Sequence, residues 1–319
     1  MTEVSRAAAL LRAGELVAFP TETVYGLGAD ASNPQAVARI FAAKGRPADH
    51  PLIVHLPDAS HLDRWAVDIP EAAHTLAAAF WPGPLTLILK RHPSVSDAIT
   101  GGQETVGLRV PNHPLALQLL REFDGGVAAP SANRFGRVSP TTAAHVREEL
   151  GDAVALIIDG GPCAVGIEST ILDLSGGDAR ILRPGMLDAE AIAGVLGAPP
   201  FVGGTQEAPR VSGSLEAHYA PQTPLRLVEV KTLGEFAQLA LDAGKSVAVL
   251  SAGAPPLSHE RLNWCTAATD PEHYAHDLYA RLRELDVSGC DLILVAAPPA
   301  DHRWNAVADR LKRAAAGSK

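Results

Sequence analysis

The stretch LVAFPTETVYGLG, residues 16–28, closes an apolar run of four with Pro20 and then releases two threonines, a glutamate and a tyrosine before its glycines. A turn that merely reversed the chain would have apolar residues on both sides. A strand ending in Thr21, Glu22, Thr23 and Tyr25 instead delivers polar groups to the edge of a sheet, where a small polar molecule can meet them. Just upstream, VSRAAALLRAG carries Arg6 and Arg12 within its apolar pattern, so the segment reads as helix then strand and not as a signal peptide.

The alternation continues to about residue 197. PLIVHL (51–56), LTLILK (85–90), VGLRV (106–110), GVAA (126–129), ALIID (155–159) and STILDL (169–174) are strand-like. Between them PQAVARIFAAK, PEAAHTLAAAF, HPLALQLLREF and TTAAHVREEL place apolar residues at helical spacing, with Pro34 and Pro70 near helix starts, where a missing N–H costs little. One α/β domain on a single sheet is expected over 1–197. Residues 198–224, rich in Pro, Gly, Ser and Thr and without a period, read as a linker long enough to be functional. LRLVEV, SVAVLS and DLILVAA then alternate with helix candidates at 233–242, 272–285 and 302–315, which predicts a small α/β domain of βαβ type over 225–319.

Composition narrows the function. The chain has 319 residues, of which 47% are hydrophobic and 20% charged, in the ordinary range of globular proteins and too apolar for disorder. A formal net charge of −9 argues against tight general binding of nucleic acid, which depends on Lys and Arg neutralising phosphates. Cys163, Cys265 and Cys290 lie far apart without metal spacing and fit reduced thiols in a cytosol. The sequence holds no GxxxxGK[ST], HExxH, GxSxG or CxxC. His273 and His276 beside Asp277 read as a solvated helix face rather than a metal site.

Four further stretches carry polar loads, three of them at strand ends like the first. In AAKGRPADHPLIVHL (42–56) a helix ends in Lys44–Gly45–Arg46–Pro47 and the next strand presents His55. The two cations are either helix-end charges favoured by the macrodipole or a polyphosphate clamp. VAAPSANRFGRVSP (127–140) follows a strand with Ser131, Asn133, Arg134, Arg137 and Ser139, and IEST (167–170) and ILRPG (181–185) add Ser169 and Arg183. Polar groups at several strand ends of one sheet are the layout of an α/β ligand site.

Taken in order, FPTETVYGLG, KGRPxxHPLIVH, GLRVP, APSAN…G…SP, ESTI and LRPG resemble the YrdC family of threonylcarbamoyl-AMP synthases. HYAP within the linker and the domain after it resemble the longer two-domain form, so the likeness covers essentially the whole chain. It implies a twisted open mixed sheet with helices, followed by a small Rossmann-like domain. It also implies condensation of L-threonine, bicarbonate and ATP, with Mg²⁺ carried by ATP, into L-threonylcarbamoyl-adenylate and pyrophosphate. Partner proteins would then pass the threonylcarbamoyl group to an adenosine of the tRNA anticodon loop, while direct tRNA binding would be weak. By the same resemblance Thr23, His55, Arg109, the backbone at Ala129 and Ser169 would hold threonine. Lys44, Arg46, His50, Thr105, Ser131, Asn133, Ser139 and Arg183 would line the ATP side, and Tyr219 would reach the nucleotide from the linker. Lys44 and Arg46 would neutralise the leaving pyrophosphate.

The chemistry of the residues agrees: Arg109 can offer a carboxylate two prongs, and Thr23 and Ser169 suit a hydroxyl. Tyr25 is expected to form a pocket wall with Thr23, Gly26 and Gly28 to let the backbone approach closely, and the linker to fold over ATP as a lid through His218 and Tyr219. Glu22 has no assigned role. Two other readings are a carbamoyl-adenylate enzyme with another acceptor and a non-catalytic RNA-binding module; the missing zinc modules count against the first, and acidic charge with few aromatics against the second.

Overall fold

The computed structural model describes residues 2–205 and 207–318. Its contacts divide the chain into two units, Met1–Phe135 with Pro140–Ser214, and Gly136–Ser139 with Leu215–Lys319. The division falls inside the 198–224 stretch and gives a four-residue piece of the earlier sequence to the second unit.

The described residues of the first unit form one mixed sheet. Its strands are β1 (Val17–Phe19), β2 (Gly26–Asp30), β3 (Ile53–His55), β4 (Leu85–Lys90), β5 (Thr105–Arg109), β6 (Val127–Ala128), β7 (Leu156–Ile157), β8 (Thr170–Asp173), β9 (Arg180–Arg183) and β10 (Phe201–Val202), in the order β10-β9-β8-β4-β5-β3-β6-β2-β1-β7. At its centre β3 runs parallel to β5, with His55 opposite Arg109, and β4 runs antiparallel to β5 and parallel to β8.

Alternation along each strand sends successive side chains to opposite faces. On one face Ala18, Leu27, Val54 and Leu108 pack against the helices Pro34–Lys44, Glu71–Phe80, Ala143–Leu150 and Ala189–Leu196 through Ile40, Leu76, Val146 and Ile192. On the other face the helices Glu3–Arg12 and Pro114–Phe123 cover Val17, Phe19 and Val127 through Leu11, Leu119 and Leu120. Over β3, β4 and β8 that second face changes character. Ile53, Ile88 and Ile171 are capped there by Val211, a linker residue, instead of by a helix. The polar residues two positions along these strands share this face.

Strand β2 departs from the sequence reading, which left GLGAD as a place for a ligand to approach. Its glycines answer to their own neighbours: a Cβ at Gly28 would lie 2.8 Å from Phe19 Cε1 and 2.9 Å from Val127 Cγ1, and one at Gly26 would lie 3.3 Å from Ala129 Cβ. Strand β10 was also unforeseen, being short and bounded by Pro and Gly, whereas β9 lies where ILRPG was read as a strand end.

In the second unit β11 (Leu225–Val228), β12 (Val247–Ser251), β13 (Leu262–Thr266) and β14 (Leu292–Ala296) form a parallel sheet in the order β11-β14-β12-β13. Strand β13 escaped the sequence reading because LNWCT is a half-exposed edge strand with polar residues in it. Helix Leu233–Asp242 buries Leu233, Ala237 and Leu241 against Val247, Val249 and Leu294. Helix Pro271–Asp286 carries His273 and His276 on its exposed side, close to Asp270 and Asp277, as a solvated face. Its far end clasps the inserted piece Gly136–Ser139. Arg137 Nη2 lies 3.2 Å from Asp286, Arg283 Nη2 donates to the Val138 carbonyl at 2.5 Å, and Ala220 N–H donates to the Gly136 carbonyl at 2.8 Å. Asp286 also accepts the N–H groups of Gln222 and Thr223, at 2.9 and 2.7 Å. Among the described residues no helix is long and apolar enough to cross a membrane.

Gly28→Ala should be costly although alanine is the smallest substitution, because the added methyl meets two buried side chains. The expected loss is about 1–3 kcal/mol, read from the midpoint of urea unfolding; an unchanged midpoint would mean that β1, β2 and β6 part without strain.

Candidate active site

The site begins with the turn that ends β1. Thr21 Oγ1 donates to the Val24 carbonyl at 2.7 Å and accepts the N–H groups of Thr23 and Val24 at 3.1 and 3.2 Å. It also lies 2.9 Å from Thr23 Oγ1. Such a hydroxyl-capped turn leaves Glu22 and Thr23 little freedom. Both side chains are buried, and both meet Arg109 at the end of β5. Arg109 Nη2 donates to Thr23 Oγ1 at 3.0 Å and lies 2.8 Å from Glu22 Oε1, while Nε donates to the Gly83 carbonyl at 3.2 Å. The side chains of the pair are only 5% and 7% exposed. Glu22, which the sequence left without a role, is thus the counter-ion of the residue assigned to a carboxylate.

His55, opposite Arg109 in register, packs edge-on against Phe19 with ring centroids 6.0 Å apart. Burial, and then the neighbouring Arg109 charge, hold its imidazole well below the ordinary value of 6.5, so it stays neutral. Among the described residues its Nδ1 has no hydrogen-bond partner. Ser169, just before β8, shares a 2.8 Å hydrogen bond with Thr86 of β4 and accepts from Arg183 Nη2 at 3.0 Å. The N–H of Ala129 is spent on the Ile53 carbonyl at 3.0 Å. Thr23, His55 and Arg109 therefore come together at adjoining strand ends, with Thr86 and Ser169 on the adjoining strands.

The cations of the ATP side are all buried, and each binds the chain itself. Lys44 Nζ donates to the carbonyls of Ser131 and Asn133, at 2.6 and 2.5 Å, and so ties the helix end to the PSAN loop. Burial, followed by the Arg46 charge, lowers its pKa well below that of a free lysine. The loop is held from its other side, where Tyr25 O accepts from Ala132 N and Pro130 O from Leu27 N, both at 2.8 Å. Arg46 Nη2 donates to the Pro51 carbonyl at 2.9 Å and to Ser212 Oγ at 3.1 Å. Arg183 donates through Nη1 to the Ser212 carbonyl at 2.9 Å and through Nε and Nη2 to the Ser169 carbonyl. Thr105 lines a shallow depression with Ile53, Ile88, Val211 and Ser212. His50 lies edge-on to Phe135 at 5.4 Å, and burial with the Arg46 charge lowers its pKa. Asn133 and Ser139 are buried, Asn133 in the first unit and Ser139 in the second.

One expectation needs correcting. Tyr25 is no pocket wall: its ring lies in the helix-covered core, and its hydroxyl donates to the Gly161 carbonyl at 2.8 Å and accepts the Gly160 N–H at 3.1 Å. Burial pushes that phenol up to about 12. Gly26 and Gly28 serve strand packing, as described above. Tyr219 belongs to the second unit, where it is buried, takes a left-handed φ of 61°, stacks on Tyr279 at 5.6 Å and has Arg310 over its ring at 5.3 Å. Sequence reasoning missed Thr86 and Ser212. Thr86 was legible as the polar residue that shares a strand face with Ile88 in LTLILK, whereas Ser212 sat in a stretch with no period.

The mixed α/β sheet of the first unit places the chain in the Sua5, YciO and YrdC class. Residues 9–185 match that family, described as "Telomere recombination", and residues 187–316 match the "Threonylcarbamoyl-AMP synthase, C-terminal domain". The chain is 42% identical over 323 residues to the threonylcarbamoyl-AMP synthase of Bacillus subtilis, covering 99% of this chain and 93% of that one. It is 41% identical over 318 residues to the Pyrococcus abyssi enzyme of the same name, covering 97% and 92%. The crystal structure of P. abyssi Sua5 complexed with L-threonine superposes with a TM-score of 0.92 at 39% identity, over 99% of this chain and 96% of that one. The chain belongs to the threonylcarbamoyl-AMP synthase family, in its two-domain form.

A neutral buried His55 binds fewer protons when folded than when unfolded. Its contribution to stability is present above about pH 6.5 and is lost as pH falls below that value. NMR of the imidazole should show the neutral form persisting in the folded protein well below the ordinary histidine value of 6.5. A ring that titrates near 6.5 would contradict its burial beside Arg109.

Proposed function

We propose that this protein catalyses the synthesis of L-threonylcarbamoyl-adenylate and pyrophosphate from L-threonine, bicarbonate and ATP. The observation that carries this reading is the Arg109 cluster. A guanidinium fixed by Glu22, Thr23 and Gly83 beside a neutral His55 suits a small hydroxylated zwitterion. Family membership and the threonine bound in the P. abyssi structure point the same way.

In this reading Arg109 takes the threonine carboxylate, with Thr23, His55, the Ala129 backbone and Ser169 around the rest of the amino acid. Lys44, Arg46, His50, Thr105, Ser131, Asn133, Ser139, Arg183 and Tyr219 serve ATP. The amine joins bicarbonate to give a carbamate, whose oxygen attacks the α-phosphorus of ATP as pyrophosphate leaves. No covalent enzyme intermediate is required; the protein positions an unstable nucleophile and offsets charge on the departing phosphates. Arg46 and Arg183 reach phosphate by exchanging their bonds to Ser212 for bonds to phosphate oxygens, which are stronger because charge meets charge. Lys44 acts on ATP chiefly by holding the Ser131–Asn133 loop in shape.

The donors fit Mg²⁺ as a companion of ATP rather than as a resident ion. The buried groups on the ATP side are cations, hydroxyls and amides, and Mg²⁺ binds readily through phosphate oxygens and water. When bound it would neutralise phosphate charge. The linker as a cover over ATP belongs to the same reading, because the carbamate and the mixed anhydride both hydrolyse readily. Transferase partners would then deliver the group to tRNA in the cytosol, where three free cysteines are at home.

Pyrophosphate release should require threonine, bicarbonate, ATP and Mg²⁺ together; equal release without threonine would overturn the reading. Arg46→Ala should lower turnover on the order of a hundredfold, and normal kinetics would return Arg46 to a purely structural role. Serine, which lacks only a methyl group, should be disfavoured by roughly 10–200-fold. Valine leaves the hydroxyl partners unpaired and should compete less well than serine in the same assay.

A further inference from the structure

We propose that Glu22, besides orienting Arg109, receives the ammonium group of threonine and takes the proton that must leave before the nitrogen can react. This rests on the synthase reading above and adds a catalytic residue to it. Glu22 Oε1 lies 2.8 Å from Arg109 Nη2, and among the described residues neither carboxylate oxygen has a hydrogen bond besides that ion pair. The carboxylate is more than nine-tenths buried, so its remaining lone pairs have little water to turn to. An arginine and a glutamate side by side match an amino-acid zwitterion, carboxylate to guanidinium and ammonium to carboxylate. The charges balance both before and after binding.

The other groups around Glu22 are poorly suited to the proton. Cys163, in the loop before Ile167, has its thiol pushed up to about 12 by burial and is neutral, with no need of a further proton. His113, which begins the helix Pro114–Phe123, is held below 6.5 by burial, and its Nδ1 already accepts the Leu115 N–H. His55 is held lower still by burial and by Arg109, so an imidazolium there is disfavoured. Transfer to Glu22 instead removes two buried charges at once.

The step balances. An N–H bond of the ammonium breaks, its electron pair stays on nitrogen, and an O–H bond forms on Glu22. The amine attacks the carbon of bicarbonate; a second N–H proton joins the departing hydroxyl as water, and a carbamate remains. Its oxygen attacks the α-phosphorus of ATP, pyrophosphate leaves, and Glu22 returns its proton to solvent.

The test is the pH dependence of Glu22→Gln. Near pH 7 the variant should lose on the order of a hundredfold in kcat/KM for threonine. The deficit should shrink as pH rises toward about 10, since the free amine is then supplied by solvent. A deficit equal at every pH would overturn the base role and leave Glu22 as a positioning residue for Arg109. Calorimetry gives a second readout that does not need turnover. Glu22→Gln should bind L-threonine more weakly than the wild type, yet bind 3-hydroxybutanoate, which lacks the ammonium, at least as well. Equal weakening of both ligands would overturn the ammonium contact. If Glu22→Gln fails to fold, Glu22→Asp keeps the charge and should show the same selective weakening in smaller measure; its absence would overturn the proposal. Wild-type protein that binds threonine but releases no pyrophosphate would defeat the synthase reading while leaving the ammonium contact standing.

Discussion

A guanidinium buried at a strand end cannot give up its proton, so a protein that needs one there must surround it with acceptors. Arg109 is the residue on which the first unit turns. Taking an ion of this kind from water costs several kcal/mol unless geometry and hydrogen bonds compensate. Glu22, Thr23 and the Gly83 carbonyl supply that compensation from two segments distant in sequence. The turn after β1 is stiff because Thr21 satisfies it, β5 pairs in register with β3, and the charge pair fastens that turn to β5. Removing either partner would strand the other, at a cost of about 3–5 kcal/mol.

The remaining cations follow the same rule by other means. Lys44, Arg46 and Arg183 are buried, and each donates to main-chain carbonyls. They act as cross-links between loops before they act on anything else. Their worth to a polyphosphate therefore lies in preorganisation: the side chains are already fixed, and binding need not freeze long flexible arms. Ser212, in the linker, touches both arginines, and it lies beside Val211, which caps the apolar half of the same sheet face.

Much of this was legible in the sequence wherever period and polarity agreed. Strands such as LTLILK and helices such as PQAVARIFAAK announce themselves, and polar residues after a strand marked Thr23, Ser131 and Ser169. What stayed hidden depended on partners far along the chain. Glu22 could be seen but not assigned, because its meaning comes from Arg109. Tyr25 looked like a ligand-facing phenol because nothing local says that Gly160 and Gly161 use its hydroxyl. GLGAD looked like a ligand approach because a glycine required by Phe19 and Val127 is indistinguishable, in sequence, from one required by a substrate. Ser212 and Val211 sat in a segment whose order comes wholly from what it docks against.

The piece Gly136–Ser139 has a consequence for how such a chain can be divided. It lies some sixty residues before the linker, yet its carbonyls and Arg137 are held by Ala220, Arg283 and Asp286 of the second unit. A cut in the linker therefore leaves four residues of the second unit within the polypeptide of the first. Exchange of the second unit between relatives would have to carry this internal segment along with the carboxy-terminal part. The natural module here is discontinuous, and the gene must be edited in two places to move it.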